Sequence, residues 1–544
     1  MAHVDRDKNS HAPECDTIII GGGHNGLVAA SFLAKAGQKV QVYEASSHWG
    51  GAAATHEIAP GIKVNAVAQQ LNAWPHDVTA SLNLTQHGLQ LTPNSAAHSV
   101  ALAQDGQHII LRNGRAEGKN LSPTTEQAWQ NFTEKMGKFA RLLAPILSDA
   151  PPILSGRGDG PSKFAAAKLA LRLRLLGRRD MREFLRIIGM NGFDLAHDYL
   201  SEPLLQGIIA FDACQTGYLG PRAPGTVLPY LWHLASEARA AESLRQYRPY
   251  DQMAAHSLGG VAAVPSALAK AAGSYGAGLS LDTPVRNIII ENGCAVGVEL
   301  ENGKKIRAKR VVATISPKKL MLDLVGAAHL DGGFAHQMNG LKSRGRTAIL
   351  HLVLDQLPQF KGLDADSLGG RLVIAPSSAA VERAFDATKY GNYAEAPPMA
   401  ITIPTLSDPA LAKDGKHILS AMVLGAPDAN DSRDTAKATE HRVGLMAACL
   451  RQIEFYAPGI NAHIKHQHLA LPIDIEQNYG VPGGAWHGID LGFDRFYALR
   501  PSFELADYST PITGLYATGA AFHPGGGITG WPGYNVARRL LRMK

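Results

Sequence analysis

Three glycines near the N-terminus have the spacing of a phosphate cradle, Gly21-x-Gly23-x-x-Gly26. Before them, Thr17 to Ile20 is a short apolar run suited to a buried parallel strand. After them, Asn25 to Lys35 shows apolar residues at helical spacing, and Gly37 ends that helix. Lys39 to Tyr43 reads as a second strand, closed by Glu44 and Ala45. Gly21 permits a tight turn. Gly23 lets backbone N–H groups approach a pyrophosphate that a side chain would exclude, and Gly26 lets the helix pack on the strand. The anion then lies at a helix N-terminus, where free N–H groups and the dipole favour negative charge. The Glu44 carboxylate can accept hydrogen bonds from both ribose hydroxyls and would repel a 2′-phosphate. Strand, helix and terminal acid stand in register, which predicts a dinucleotide site; the alternative is a glycine turn with no ligand.

Just past that acid comes His48-Trp49-Gly50-Gly51-Ala52. A flavin dinucleotide is longer than the fingerprint alone can hold, so a second close backbone approach is useful. This doublet resembles the one that follows the fingerprint in the flavoprotein amine oxidase and phytoene desaturase superfamily, which points to FAD rather than NAD. Near the other end, Gly514 to Leu541 reads GLYATGAAFHPGGGITGWPGYNVARRLL and resembles the superfamily's C-terminal flavin motif. Gly220-Pro221-Arg222-x-Pro224-Gly225 and the segment from Gly483 to Pro501 resemble motifs of the phytoene-desaturase-like group, which includes the pyridine nucleotide-disulfide oxidoreductase domain-containing type.

The resemblance implies site residues. Gly519, Gly526, Gly527 and Ile528 would approach the flavin edge, where a helix N-terminus stabilises charge on the reduced ring. The residue at Val285 would pair its backbone with the adenine, and Gln69 and Gln70 would either neighbour the isoalloxazine or be ordinary polar loop residues. His487 and His523 sit in segments expected near the flavin and are the candidate acid–base residues, with packing as the competing role. The group commonly carries an acid directly after its His-Gly pair; here Ile489 stands there and Asp490 follows. Tyr218, Tyr230, Trp232 and His233 could line an apolar pocket or be plain core.

Composition bounds the rest. At 544 residues, 45% hydrophobic and 18% charged, the chain should form two or three domains with a sizeable core. Cys15, Cys214, Cys294 and Cys449 form no CxxC pair and no metal spacing, as expected of idle thiols in a reducing compartment. No apolar run reaches the length of a membrane span, and the polar first residues predict no signal peptide. The expected location is the cytoplasm, with attachment to a membrane surface as an option. Net charge is a mild +6, unevenly placed.

The fold class expected is α/β. A Rossmann-like FAD-binding domain is assembled from residues 16–56, 256–330 and 501–544, after a disordered stretch at 1–15. A mixed α+β substrate domain takes residues 57–255 and 331–500. Ser122 caps a predicted helix over 123–148, with Pro123 in its first turn. Asn292-Gly293 and Asn302-Gly303 mark hairpin turns between strands that end in Arg310 to Ile315. Strands are also expected at 346–354, 400–404, 417–423 and 515–518, and a helix over 436–456. The segment 162–190 predicts a basic amphipathic helix, broken near Gly177. Lys168, Arg172, Arg179, Arg182 and Arg186 share one face; Leu169, Leu173, Leu176, Phe184 and Ile187 share another. Such a helix could lie in a membrane interface or be a surface helix on the core. Nucleic acid is not expected, since no aromatic residues interleave with these charges.

No second fingerprint and no redox CxxC is present, so no NAD(P)H domain is expected. The leading expectation is an FAD-dependent dehydrogenase. It would move a hydride from an activated or allylic C–H of an apolar, isoprenoid or other unsaturated substrate to the flavin. Electrons would leave to oxygen, a quinone or a protein carrier. Rival readings are a flavin amine oxidase, a redox-neutral flavin isomerase, and a non-enzymatic carrier of prenylated proteins of the escort and GDP-dissociation-inhibitor type. The oligomeric state is left open.

Overall fold

A computed structural model describes residues 13–69, 71, 73–92, 98–152, 160–215, 217–241, 247–250 and 256–543, with no side-chain detail at 92, 160–166 and 256. Gln70, residues 1–12 of the N-terminal stretch and 153–159 lie outside the described residues.

The chain opens with β1 (Cys15–Ile20), α1 (His24–Lys35) and β2 (Val40–Tyr43), then a hairpin of β3 (Thr55–Ala59) and β4 (Ile62–Asn65). Next come α2 (His76–Ser81), β5 (Leu91–Thr92), β6 (Ser99–Ala101), β7 (Ile109–Arg112) and β8 (Arg115–Glu117). A helical run follows: α3 (Pro123–Leu147), α4 (Gly160–Leu175), α5 (Arg178–Ile188), α6 (Gly192–Tyr199), α7 (Pro203–Cys214) and α8 (Val227–Ala240). Then β9 (His256–Ser257), α9 (Ala263–Ser274), β10 (Gly278–Ser280), β11 (Val285–Glu291), β12 (Cys294–Leu300), β13 (Lys305–Ala313) and α10 (Gly332–Asn339). The chain continues with β14 (Thr347–Leu354), β15 (Arg371–Ile374), α11 (Ser378–Thr388), β16 (Met399–Thr402), β17 (His417–Leu424) and α12 (Thr435–Tyr456). It ends with β18 (Ile464–Ala470), α13 (Pro472–Tyr479), β19 (Leu515–Ala517) and α14 (Trp531–Arg542).

The first sheet has the order β10-β2-β1-β13-β12-β11, with β19 also on β13. β10, β2, β1, β13 and β19 run parallel, while β11 and β12 join as an antiparallel hairpin. Ile18, Ile19, Val40, Val42, Val311 and Val312 are fully buried, as the apolar runs of a strand covered on both faces require. α1 packs against α9 and α14. The second sheet runs β18-β14-β17-β16-β15-β6-β7-β8. Every residue of β14 is buried. One face of this sheet meets Leu445, Cys449 and Ile453 of α12; the other offers Ile349, Met422 and Ala470 to Ala54, Ala66 and Val67. That second face turns toward the glycine cradle, because Ala54 closes the short turn begun at Gly51.

α3 starts as its sequence dictates: the Ser122 hydroxyl accepts from the Thr125 N–H at 3.2 Å. Packing decides the basic stretch. Gly177, at φ +82°, separates α4 from α5. Leu169, Leu173 and Leu176 pack against the helical core, and Phe184 and Ile187 are buried in it, so of the two readings left open for this apolar face it is core. Arg186 is not free either; it pairs with Glu183 and Asp198. The sequence pattern does not predict β15, β18, α11 or α13. β18 is mostly exposed and polar, so it lacks the alternation that marks a half-buried strand. Among the described residues, no helix is long and apolar enough to cross a membrane.

Candidate functional site

The cradle is built by backbone. The Gly21 N–H donates to the Tyr43 carbonyl at 2.9 Å, tying the turn to β2. A Cβ at Gly26 would overlap the Gly21 carbonyl oxygen, which is how closely α1 sits on the end of β1. Gly23 differs: the nearest atom to a Cβ there is the Gly50 carbonyl oxygen, at 3.9 Å. Its backbone, φ −67° and ψ 165°, is open to any residue. Gly23 and Gly50 form an isolated bridge, and the Gly50 N–H donates to the Gly22 carbonyl at 3.0 Å. The two glycine motifs thus lie side by side, with Gly51 beside Gly23 and the Trp49 ring beside Gly22.

α1 has no side-chain N-cap and no acid in its first turn, and the same is true of α14. Among the described residues, no carboxylate meets either dipole end; α1 also keeps its first N–H groups, whereas in α14 the Trp531 N–H donates to the Thr529 hydroxyl at 3.4 Å and Pro532 has none. The two starts converge: a Cβ at Gly533 of α14 would overlap the Asn25 carbonyl of α1. The Asn25 Oδ1 is buried without a hydrogen-bond partner. Open space at Gly23 and the uncapped start of α1 fit the pyrophosphate of a dinucleotide.

The Glu44 carboxylate is held by the Gly22 N–H at 2.6 Å and by the Ser46 N–H and hydroxyl at 2.8 Å each. Three acceptances leave one of its roughly four lone-pair sites for a ribose. The segment before Val285 docks on this acid's backbone: Thr283 donates to the Glu44 carbonyl at 2.8 Å and Asp282 to the Ser46 carbonyl at 3.0 Å. Val285 therefore begins β11 close to the acid, and Ala45 sits between the two anchored residues.

The C-terminal loop closes on the same sheet. The Thr518 N–H donates to the Ala313 carbonyl and its hydroxyl to the Pro532 carbonyl, fixing Gly519 after β19. Gly526 lies so close to the Trp486 carbonyl that a Cβ would overlap it, and Ile528 is buried. The Gly526 N–H donates to His487 Nδ1 at 3.0 Å, which leaves the ring proton on Nε2. Burial, then the Arg500 and His233 charges, push this imidazole down to about 3. His523 is fully buried behind the loop, where one ring nitrogen meets the Ile146 carbonyl at 2.9 Å; burial takes it to about 3 as well. Arg500 is 1% exposed and donates to the carbonyls of His487, Ile489, Asp490, Arg495 and Ala520, stitching the two motifs together. Asp490 binds Arg344 through two guanidinium nitrogens, at 2.8 and 2.6 Å.

A chamber opens between this loop and the second sheet. Gly526, Gly527, Ile528, His487, Trp486 and Trp232 line one side, and Gln69 and Met422 another. His523 is not among its lining residues. Trp232 anchors α8 to the loop by donating to the Pro524 carbonyl at 2.6 Å. Tyr230 is fully buried, and Tyr218 lies under the Arg344 guanidinium at 3.6 Å.

The far side of the chamber is polar, and sequence reasoning reached only His233 of it, as part of an apolar pocket. Asp212 of α7 pairs with Arg371 of β15 and accepts from the Tyr250 hydroxyl at 2.7 Å. His233 of α8 meets Glu237, one turn on, at 3.3 Å, and Glu237 also accepts from the Tyr247 hydroxyl at 2.9 Å. Although the ring lies deep in the fold, 37% of the His233 side chain is open to this space. Burial alone would depress this imidazole; the Glu237 carboxylate outweighs it and raises the ring above its ordinary value. The spacing of His233 and Glu237 on one helix face was a readable signal. Asp212 and Arg371, 159 residues apart, gave none.

The family model for flavin containing amine oxidoreductases matches residues 26–431. The chain is 27% identical to pyridine nucleotide-disulfide oxidoreductase domain-containing protein 2 of Rattus norvegicus, over 97% of this chain and 94% of that one. It is 25% identical to a limonene dehydrogenase polypeptide of Castellaniella defragrans, over 98% and 95%. To a 4,4'-diapophytoene desaturase of Methylomonas sp it is 22% identical, over 97% and 95%. Among solved structures, an oxidoreductase from Methanosarcina mazei aligns with TM-score 0.57 at 15% identity, over 97% of this chain and 100% of that one. Putrescine oxidase bound to putrescine aligns with TM-score 0.57 at 17% identity, over 97% and 99%. At such identities the structures speak for the fold.

Proposed function

The chain belongs to the flavin containing amine oxidoreductase family, and from that premise we propose that it dehydrogenates an apolar, unsaturated substrate of isoprenoid type at an activated or allylic C–H. It is an FAD-dependent oxidoreductase; the substrate class and the acceptor, whether oxygen, a quinone or a protein carrier, are the proposal. The observation that carries it is the chamber itself, where Trp232, Trp486, Met422 and Ile528 give an apolar wall against the flavin-edge glycines. Bound FAD supplies a two-electron hydride acceptor.

The chain's own residues orient the substrate and handle the proton. Gly23, Gly50 and the start of α1 would hold the pyrophosphate, Glu44 the ribose, and Gly519, Gly526 to Ile528 and the start of α14 the ring edge. His487 is the weaker base of the two chamber histidines, since its Nδ1 is occupied by Gly526 and its basicity is low. His233 is the better one. With Nε2 toward Glu237, its Nδ1 is the nitrogen left to take a proton from the carbon beside the hydride donor, and Glu237 stabilises the imidazolium that results. An amine oxidase is the second reading, favoured by the Asp212 and Glu237 carboxylates in the chamber.

Anaerobic mixing of the yellow protein with separate panels of unsaturated terpenoids and of primary amines tests this. Loss of the oxidised flavin band with a terpenoid, and none with NADPH, is the expected result. Bleaching by amines alone, with ammonia released, would replace the first reading with the second.

A further inference from the structure

The cradle and the chamber leave one unusual surface unused, the outer side of α4 and α5. Leu171, Leu175 and Leu185 stand there with 57%, 75% and 58% of their surface exposed. At 3.6 residues per turn, Leu171 and Leu175 point away from Leu169, Leu173 and Leu176, which hold α4 to the core. Arg174 lies on one side of this leucine ridge, and Lys168 and Arg172 lie on the other. On α5, Leu185 shares its face with Arg178 and Arg182. The nearby acids are already taken: Asp180 pairs with Lys138, and Glu183 with Arg186. Among the described residues, Arg174, Arg178, Arg179 and Arg182 have no carboxylate partner.

We propose that this face docks on a bilayer surface containing anionic phospholipid, with the three leucines entering the boundary between headgroups and acyl chains and the arginines meeting the phosphates. Charge complementarity selects the lipid, and the outward leucines select a bilayer over a nucleic acid. Nucleic-acid surfaces stack bases on aromatic rings, and the described side chains of this face include none. Interfacial helices join an apolar ridge to flanking cations in this way, because long arginine stems reach back to the headgroups while the ridge is immersed. The docking face differs from the one the sequence suggested. Leu169, Leu173, Leu176, Phe184 and Ile187 serve the core, and the ridge opposite serves the lipid. The proposal is independent of the reaction assigned above.

The test is flotation of the FAD-loaded full chain with phosphatidylcholine vesicles, with and without phosphatidylglycerol, at low and moderate salt. The wild type should rise with the anionic vesicles and less so as salt increases. Two variants separate the components: Leu171→Ser with Leu175→Ser and Leu185→Ser, and Arg174→Glu with Arg178→Glu and Arg182→Glu. Each should lower vesicle partition by about tenfold or more while keeping wild-type flavin content and melting behaviour. A wild type that stays in the dense fraction with anionic vesicles overturns the proposal. So does a leucine variant that floats undiminished. Tight binding of single-stranded RNA that the leucine variant retains, without flotation of the wild type, would reassign the patch to nucleic acid.

Discussion

Gly23→Ala separates cofactor binding from folding more cleanly than any other change in the cradle. The backbone at Gly23 already has an ordinary extended conformation, and a Cβ there meets nothing nearer than the Gly50 oxygen at 3.9 Å. Without cofactor, the substitution should therefore be tolerated; replacing glycine where alanine fits gains about 0.4–1 kcal/mol by restricting the unfolded chain. With cofactor, the same methyl group stands where the pyrophosphate must approach. Saturating FAD at about a hundredfold its Kd stabilises the wild type by ~2.7 kcal/mol through linkage. That increment should vanish in Gly23→Ala, while the cofactor-free proteins melt alike or the variant slightly higher. Gly26→Ala is the control with the opposite pattern. Its methyl group would overlap the Gly21 carbonyl, so it should destabilise the cofactor-free protein by about 1–3 kcal/mol. The assay is thermal melting of stripped and FAD-reconstituted proteins, with the flavin-to-protein ratio read from absorbance. A Gly23→Ala protein that purifies yellow at the wild-type ratio, with the full FAD-dependent shift, refutes the assignment of this turn to the pyrophosphate.

Three further outcomes are expected. Glu44→Gln should keep its shape and weaken FAD by about 1–3 kcal/mol, the worth of a hydrogen bond to a charged group, measured by equilibrium titration of the stripped protein. His351 and His523 are buried and stay neutral in the fold down to about 3, whereas in the unfolded chain they protonate near 6.5. Between those values the unfolded state binds more protons, so stability is complete above about pH 6.5 and falls with decreasing pH, each ring costing about 1.4 kcal/mol by pH 5.5. Urea midpoints at pH 7.5 and 5.5 that coincide would contradict this. His233→Gln should retain flavin but slow bleaching by a productive substrate by about 10²–10⁴-fold, the range of a lost general base; a change under threefold would remove His233 from the mechanism.

The cofactor half was legible because its chemistry is local in the chain. A turn, a helix start and an acid lie within residues 21 to 44, and glycine is recognisable as itself. The structure adds what spacing cannot: Gly21 and Gly26 are hemmed in by the protein itself, whereas Gly23 has open space beside it. The parallel strands and the hairpins at Asn292-Gly293 were legible for the same reason. In the second sheet, β14 and β17 were legible as buried apolar runs. β18 carries polar residues on both faces and gave no period. For α4 the helical period was legible but its meaning stayed open between core and membrane, since an apolar stripe looks the same whichever covers it. The leucines that decide the matter break the stripe and were passed over.

The chamber shows a deeper limit. Sequence position put His487 and His523 forward for acid–base work and left His233 as one residue of a pocket wall, with no means of ranking the three. Environment ranks them. His523 is closed in behind the loop; His487 has Gly526 on one nitrogen and the cationic Arg500 close by, and both rings lose basicity. His233 differs by one helical turn of sequence, which brings Glu237 to its Nε2 and leaves the ring open to the chamber. The coupling runs between them as well: the charge on His233 is one of the influences that lower His487. A charge on His233 therefore disfavours a second one on His487. On the reading proposed above, the proton would be taken at one place, on α8, while His487 stays fixed beside the glycine loop. His487, held by the Gly526 N–H, is thus fixed beside the glycine loop, and His233, carried in on a distant helix, is the one the proposed reaction would use.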